Sequence, residues 1–236
     1  MNKNGSIFYV KDITKDYHCQ FGFFKKQDLK KKNGSLIKTN KGYEFTLVKA
    51  SFIDSYKKIK RDAQIISPKD IGVILSYTGI NKNSVVVDAG AGSGALCCML
   101  AHVAKKVITY DIREDFIKVV EENKKSLNLK NLIIKHKNLY EGIDEKDVDL
   151  IVLDLPEPWN TLEPAAALKP GGFLVSYSPS IPQTIDFVNA INCHKNFCHL
   201  KTIELIEREW EIQERRVRPK TQMIGHTGFL SFCRRI

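Results

Sequence analysis

The chain has 236 residues, of which 43% are hydrophobic and 27% charged, and its formal net charge is +10. These values are typical of a globular protein with one good core and room for a small second domain. The apolar runs are too short for a membrane span, and the charge favours either a polyanionic partner or simply a lysine-rich solvated surface.

The six cysteines form no C-x-x-C pair and no His/Cys cluster at zinc spacing. We therefore expect free thiols and no metal site. Residues 1–6 contain no apolar segment, so we also expect no secretory signal and a cytoplasmic protein.

Residues 1–60 predict a small β-rich domain with a basic loop that suits RNA contact. Ile7–Val10 and Tyr43–Val48 have the composition of short strands. Aromatic and basic side chains lie between them, at Phe21, Phe23, Phe24, Lys25, Lys26, Lys30, Lys31, Lys32, Lys38 and Lys41. Rings beside lysines suit RNA, because charge binds phosphates and rings stack on bases. A solvated lysine surface over a small aromatic core explains the same composition.

Residues 61–236 predict an α/β domain that opens with an extended Gln64–Ile66 segment and a helix. Ser67 can cap this helix, with Pro68 at its first position. Val85–Val87 then has the β-branched composition of a buried strand. It leads through Asp88 into Gly90-x-Gly92-x-Gly94.

The glycine spacing matches neither the dinucleotide-binding G-x-G-x-x-G nor the phosphate loop. A strand, a glycine turn and a helix (Leu96–Val103) can form a nucleotide site, since glycines admit close approach and the helix start offers free N–H groups. The same glycines can also serve only to pack the helix tightly on its strand.

Val107–Asp111 predicts the second strand, and Asp111 lies about 20 residues beyond the loop, where doubly wound folds place the acid that binds ribose hydroxyls. Its alternative role is to cap the helix predicted at Glu114–Leu127. The third strand, Leu132–His136, is followed by Asn138 and Leu139, which can bind and pack against an adenine. We expect His136 to be an ordinary strand histidine.

The fourth strand, Asp149–Asp154, places the Asp154 carboxylate at the carboxyl end, where ligands bind in open α/β sheets. Pro156 and Pro158 stiffen the loop after it. The remaining predicted elements are a short helix at Leu162–Leu168, a strand ending at Tyr177, a helix from Pro182, and an antiparallel pair, Thr202–Ile212 with Gly225–Phe232. This last pair flanks the basic loop Arg215–Lys220, which suits a phosphate backbone or is a solvated hairpin tip.

Four segments together resemble the family of tRNA (adenine-N1)-methyltransferases that act at position 58 of the T-loop. They are Gln64–Asp70, Asp88–Gly94, Asp154–Trp159 and the C-terminal Arg208–Glu211, Arg218–Pro219 and Gly225–Leu230. The resemblance covers roughly residues 60–236. It implies a Rossmann-like seven-stranded class I methyltransferase fold, S-adenosyl-L-methionine as methyl donor, tRNA as partner and a homotetramer, and archaeal members can also methylate a neighbouring adenine.

Carried onto this sequence, the resemblance implies that Asp154 is the catalytic residue. It implies a donor-binding set of Ile66, Gly90, Gly92, Ser93, Gly94, Ala95, Leu96, Asp111, Asn138, Leu139 and Asp154. Two positions depart from the family pattern: Ser67 replaces an expected aromatic, and Asn138 replaces an acid. The Ser67 departure leaves open which side chain packs on the target adenine once it is extruded from the tRNA. The Asn138 side-chain carbonyl still suits an adenine amine.

Two alternative functions are compatible with parts of the sequence. A small-molecule methyltransferase of the tetrapyrrole-precursor type has a similar donor loop but needs neither the positive charge nor the Gly-His-Thr ending. A non-catalytic tRNA-binding subunit does not need the intact glycine loop, Asp111 or Asp154. A Rossmann dehydrogenase is disfavoured by the glycine spacing.

Overall fold

The computed structural model describes residues 1–3 and 5–236. The chain divides into two compact units, Met1–Lys58 and Ile59–Ile236, and each has its own hydrophobic core.

In its described residues, the N-terminal unit has two short β-hairpins and two short helices. Its elements are β1 (Tyr17–Cys19), β2 (Gly22–Phe24), α1 (Lys26–Leu29), β3 (Leu36–Lys38), β4 (Glu44–Thr46) and α2 (Phe52–Tyr56). Phe24 and Phe45 are buried with their rings edge to face at 5.2 Å, and Phe21 packs against the same cluster. Phe24 and Phe21 are therefore core residues, whereas Phe23 lies beside the exposed His18.

The strand predicted at Ile7–Val10 is wrong, because these residues have no regular secondary structure. Phe8 and Val10 do pack against the aromatic core, which accounts for their apolar character without strand pairing. Within Tyr43–Val48, only Glu44–Thr46 pairs as a strand, with β3.

The second unit is an α/β domain with one large sheet. Its elements are α3 (Pro68–Thr78), β5 (Val85–Ala89), α4 (Ala95–Val103), β6 (Lys106–Asp111), α5 (Glu114–Ser126), β7 (Leu132–His136), β8 (Val148–Leu153), β9 (Leu168–Ser178), α6 (Ile181–Cys193), β10 (Phe197–Glu204), β11 (Trp210–Gln213), β12 (Arg216–Pro219) and β13 (Phe229–Arg235). Within the described residues, no helix has the length and apolar character needed to cross a bilayer.

The large sheet has seven strands in the order β10-β13-β9-β8-β5-β6-β7, which confirms the predicted α/β class. Strands β5 to β9 are mutually parallel, and β13 is antiparallel to both of its neighbours. Parallel strands need both faces covered, which explains their unbroken apolar runs. The carboxyl ends of β5, β6 and β8 meet at one edge, on which the site is built.

Two other predictions need correction. The short helix predicted at Leu162–Leu168 is a 3-10 helix confined to Pro164–Ala167, and Leu168 already begins β9. The sheet closes with β10 and β13, whereas β11 and β12 leave it and form a separate hairpin. Alternation predicts a strand but does not identify its partner.

Candidate active site

The glycine loop is held against the loop after β8 by backbone contact. Gly90 has φ +87°, and a Cβ built on it would lie 2.1 Å from the carbonyl oxygen of Asp154. The Asp154 amide also donates a hydrogen bond to the Ala89 carbonyl at 2.8 Å. Only glycine allows β5 and β8 to approach so closely where they end.

Asp88 is the last residue but one of β5, and the sequence analysis did not include it among the site residues. Its side chain is 1% exposed, and its Oδ2 accepts a hydrogen bond from Thr109. Its Oδ1 has no partner among the described residues. Burial raises the pKa of Asp88 to about 7, with a smaller opposing effect of the Thr109 hydrogen bond. The sequence feature that could have identified Asp88 as a site residue is its position two residues before the first glycine of the loop.

Asp111 links the ends of β5 and β6. One carboxylate oxygen accepts from the Gly92 amide at 3.0 Å and the other from the Arg113 amide at 2.9 Å, just before α5. The side chain therefore braces the glycine loop and the helix start together. Each oxygen retains a lone pair for a further donor, so the ribose role and the capping role are compatible.

Asp154 follows the last residue of β8, and burial raises the pKa of its carboxyl to about 6. Leu153 pairs with Ser176 across β8 and β9, which brings Asp154 next to Tyr177. The pKa of Tyr177 is raised to about 12, mainly by burial and to a smaller extent by the nearby charges of Asp70 and Asp154. Tyr177 is thus a neighbour of Asp154 that the sequence analysis missed, because a tyrosine in a strand carries no signal of its neighbours.

Ser93 lies in the loop, but its hydroxyl faces the segment before α3. It accepts hydrogen bonds from the amides of Asp62 and Ala63 at 3.0 and 2.8 Å. The buried Asn123 of α5 binds the Ser93 carbonyl and both backbone groups of Lys60. These contacts fix the 60–63 segment beside the glycine loop and leave the Ser93 backbone amide for a methyl-donor molecule.

The other residues of the predicted donor-binding set lie just after β7, just before α3 and at the start of α4. The Asn138 side-chain oxygen caps the turn after β7 by accepting from the Tyr140 amide at 3.1 Å, and Leu139 is buried in the main core. Ile66 is buried just before α3. Gly94, Ala95 and Leu96 form the start of α4, where a Cβ on Gly94 would contact Val120 at 3.1 Å.

The basic loop predicted at Arg215–Lys220 is partly neutralised. Arg218 pairs with Glu211 at 2.8 Å, and Lys220 pairs with Glu209. Arg215 and Arg216 are exposed at and beside the hairpin turn. Among the residues that the structure describes, no group of three or more His, Cys, Asp or Glu side chains could hold a metal ion.

A family model for the tRNA methyltransferase complex GCD14 subunit matches residues 57–221. The chain is also 37% identical to a protein of Methanocaldococcus jannaschii, across 99% of this chain and 93% of that relative. That relative is the tRNA (adenine(57)-N(1)/adenine(58)-N(1))-methyltransferase TrmI.

Two solved structures have the same architecture. A SAM-dependent O-methyltransferase of Thermotoga maritima is 31% identical with a TM-score of 0.89, over 99% of this chain and 90% of that one. The tRNA (m1A58) methyltransferase TrmI of Aquifex aeolicus is 27% identical with a TM-score of 0.80, over 94% and 89%. Both likenesses extend well beyond the residues that the family model matches.

Proposed function

This chain belongs to the GCD14 family of tRNA methyltransferases, and from that membership we propose how its residues carry out the reaction. It is a tRNA (adenine-N1)-methyltransferase that acts at adenine 58. The match to a tRNA-modifying relative over 99% of the chain favours this function over tetrapyrrole-precursor methylation. We place its action in the cytoplasm, together with its tRNA substrate.

The family and the fold support S-adenosyl-L-methionine as the methyl donor. When bound, it supplies a methyl group already activated on a sulfonium. The residues at the sheet edge suit such a cationic ligand, because Asp88 has an unpartnered oxygen within the described chain and Asp111 has spare acceptor capacity. We propose that Asp111 binds the ribose hydroxyls and that the Asp88 carboxylate faces the positive end of the donor.

Asp154 carries the proposal for the adenine. Its carboxylate is mostly buried at the carboxyl end of β8, against the glycine loop. Adenine N1 is a neutral nucleophile, so positive charge develops on the ring and its exocyclic amine during attack. Asp154 would accept a hydrogen bond from that amine, orienting the base and stabilising the developing charge. Electrostatic assistance suffices, and transfer of the amine proton to Asp154 is not required.

The test of the function is methyl transfer to an unmodified tRNA transcript, with the product nucleosides mapped by mass spectrometry. The T-loop adenine is buried in folded tRNA and must be extruded to reach the pocket. N1-methyladenosine at position 58 supports the proposal, and a second product at position 57 extends it. Donor binding without methylation of tRNA would instead favour a small-molecule substrate.

We propose that the lysines of residues 25–41 contact tRNA phosphates. Two of these lysines are already paired, Lys31 with Asp28 and Lys38 with Glu44, whereas Lys30 and Lys32 are exposed at and just after the end of α1. Lys30→Gln with Lys32→Gln is expected to weaken tRNA binding and to lower the slope of log affinity against log salt by about two. Lys130→Gln, another exposed lysine, is the control. Unchanged affinity and slope in the double variant would remove this segment from the interface.

We propose a homotetramer, as the family resemblance implies. The β11–β12 hairpin and the residues after it expose apolar side chains: Trp210 is 54%, Ile212 72%, Val217 57% and Ile224 68% exposed. An apolar patch of this kind marks a protein contact. Sedimentation is expected to give about four times the 26.9 kDa chain mass, and Ile212→Lys is expected to lower it. A monomer at micromolar concentration would contradict the proposal.

A further inference from the structure

The segment Gly225–Gly228, just before β13, is a sequence motif to which the mechanism above gives no role. Three of its residues make specific contacts with three other parts of the second unit. The contacts of Thr227 and Gly228 reach Tyr177, which lies beside Asp154.

Thr227 joins a buried polar network at the start of α3. Its hydroxyl donates to Asp70 at 2.9 Å and accepts from the Lys69 ammonium at 2.7 Å. The Asp70 side chain is fully buried, and Lys69 bonds it directly at 2.9 Å and also donates to the Leu205 carbonyl at 2.8 Å. Ser67, the residue that replaces the expected aromatic, donates to Asp70 at 2.8 Å. A buried carboxylate needs all of these donors, so Thr227 is held firmly.

The backbone of Thr227, in addition to its side chain, makes a contact, and its partner is Tyr177. The Tyr177 hydroxyl donates a hydrogen bond to the Thr227 carbonyl. A Cβ on the next residue, Gly228, would lie 2.5 Å from the Tyr177 ring, so only glycine permits this contact. The ring is therefore fixed by one hydrogen bond and by direct packing on the backbone.

His226 anchors the segment to the end of β9. Its Nδ1 lies 2.6 Å from a Glu204 oxygen and its Nε2 lies 2.9 Å from the Pro179 carbonyl. Both partners are acceptors, so both ring nitrogens donate in the protonated imidazole. Pro179 follows Tyr177 by two residues, which places a second tie close to the ring.

We propose that Thr227 is a positioning residue that couples the Lys69–Asp70 pair at the start of α3 to Tyr177, and so fixes the wall beside Asp154 against which the adenine is aligned. This inference rests on the proposed tRNA methyltransferase function. It also gives Ser67 a role, as part of the network that orients this wall.

The test is a double-mutant cycle with Thr227→Val and Tyr177→Phe. Thr227→Val removes the hydroxyl but keeps the volume, and is expected to lower kcat about tenfold or more with donor affinity nearly unchanged, since small misplacement of reacting groups is costly. Thr227→Ser is expected to restore most of the rate. Because Thr227 acts through Tyr177, the effects of the two substitutions on kcat should be strongly non-additive.

Additive effects, or a Thr227→Val protein as active as wild type, would overturn the inference while leaving the function intact. An inactive wild type would instead contradict the proposed function. Thermal unfolding of each variant checks folding, and Thr227→Ala replaces Thr227→Val in the cycle if the latter does not fold.

Discussion

Asp154→Ala is expected to lower kcat for tRNA methylation by about 10²- to 10³-fold while donor binding survives, as for loss of one preorganised electrostatic group. Asp154→Asn keeps an acceptor but no charge, so its loss should be smaller, about tenfold or more. Single-turnover assays with mass spectrometry of the nucleosides, and calorimetry of donor binding, measure both effects. Asp186→Asn, an exposed carboxylate on α6, is the control. An Asp154→Ala enzyme within a few-fold of wild type would exclude the proposed role.

The same carboxyl should control the pH dependence. Burial raises the pKa of Asp154 to about 6, so kcat/KM is expected to fall as the pH drops below about 6 and the carboxyl is protonated. The charged form is disfavoured in the folded state, so its stability cost appears as the pH rises from about 4 to about 6 and persists above. At 1.36 kcal/mol per pKa unit the cost is at most about 3 kcal/mol. Asp154→Asn should therefore melt higher than wild type at pH 8, with the two converging near pH 4.

The sequence predicts the central sheet well because parallel strands are buried on both faces. Val85–Val87 and Val107–Asp111 are largely buried and rich in β-branched residues, so composition alone identifies these two strands. Leu132–His136 lies at the edge of the sheet, and its Ile133 and His136 are exposed. Ile7–Val10 has a similar composition for a different reason, since its Phe8 and Val10 pack on a core without strand pairing. The apolar composition of this segment indicates packing on a core. It does not indicate strand pairing, because pairing depends on residues distant in the chain.

In the candidate site too, residues at the ends of strands are predictable from the sequence, whereas residues held by long-range contacts are not. Asp154 and the glycines are recognised because they lie at fixed offsets from predicted strands. The bonds of Thr227 to Asp70 and of Lys69 to Thr227 span 157 and 158 residues. Nothing local to Thr227 indicates these partners, because tertiary packing selects them. The Ser93 hydroxyl is turned to Asp62 and Ala63 for the same reason.

Gly90→Ala is expected to be the most damaging single-methyl change in the chain. The added Cβ would meet the Asp154 backbone oxygen at 2.1 Å, and the residue would have to keep φ +87°. Backbone atoms of a central sheet cannot move aside, so strain and overpacking together should cost about 2–5 kcal/mol. The shift would also displace Asp154 and the donor loop, so donor affinity and methyl transfer should each fall by more than about 100-fold.

Two other glycines separate this clash from the general effect of a methyl group. Gly92 has φ +49° and its nearest neighbour is the Ala63 Cβ at 3.8 Å, so Gly92→Ala should cost only about 1 kcal/mol for the left-handed conformation. Gly72 lies exposed within α3 with open space around it, so Gly72→Ala should add about 0.5–1 kcal/mol of stability. Denaturant unfolding is expected to rank them Gly72→Ala, wild type, Gly92→Ala, Gly90→Ala. Equal stability of the last two would show that the Gly90–Asp154 contact relaxes freely and does not hold the catalytic carboxylate in place.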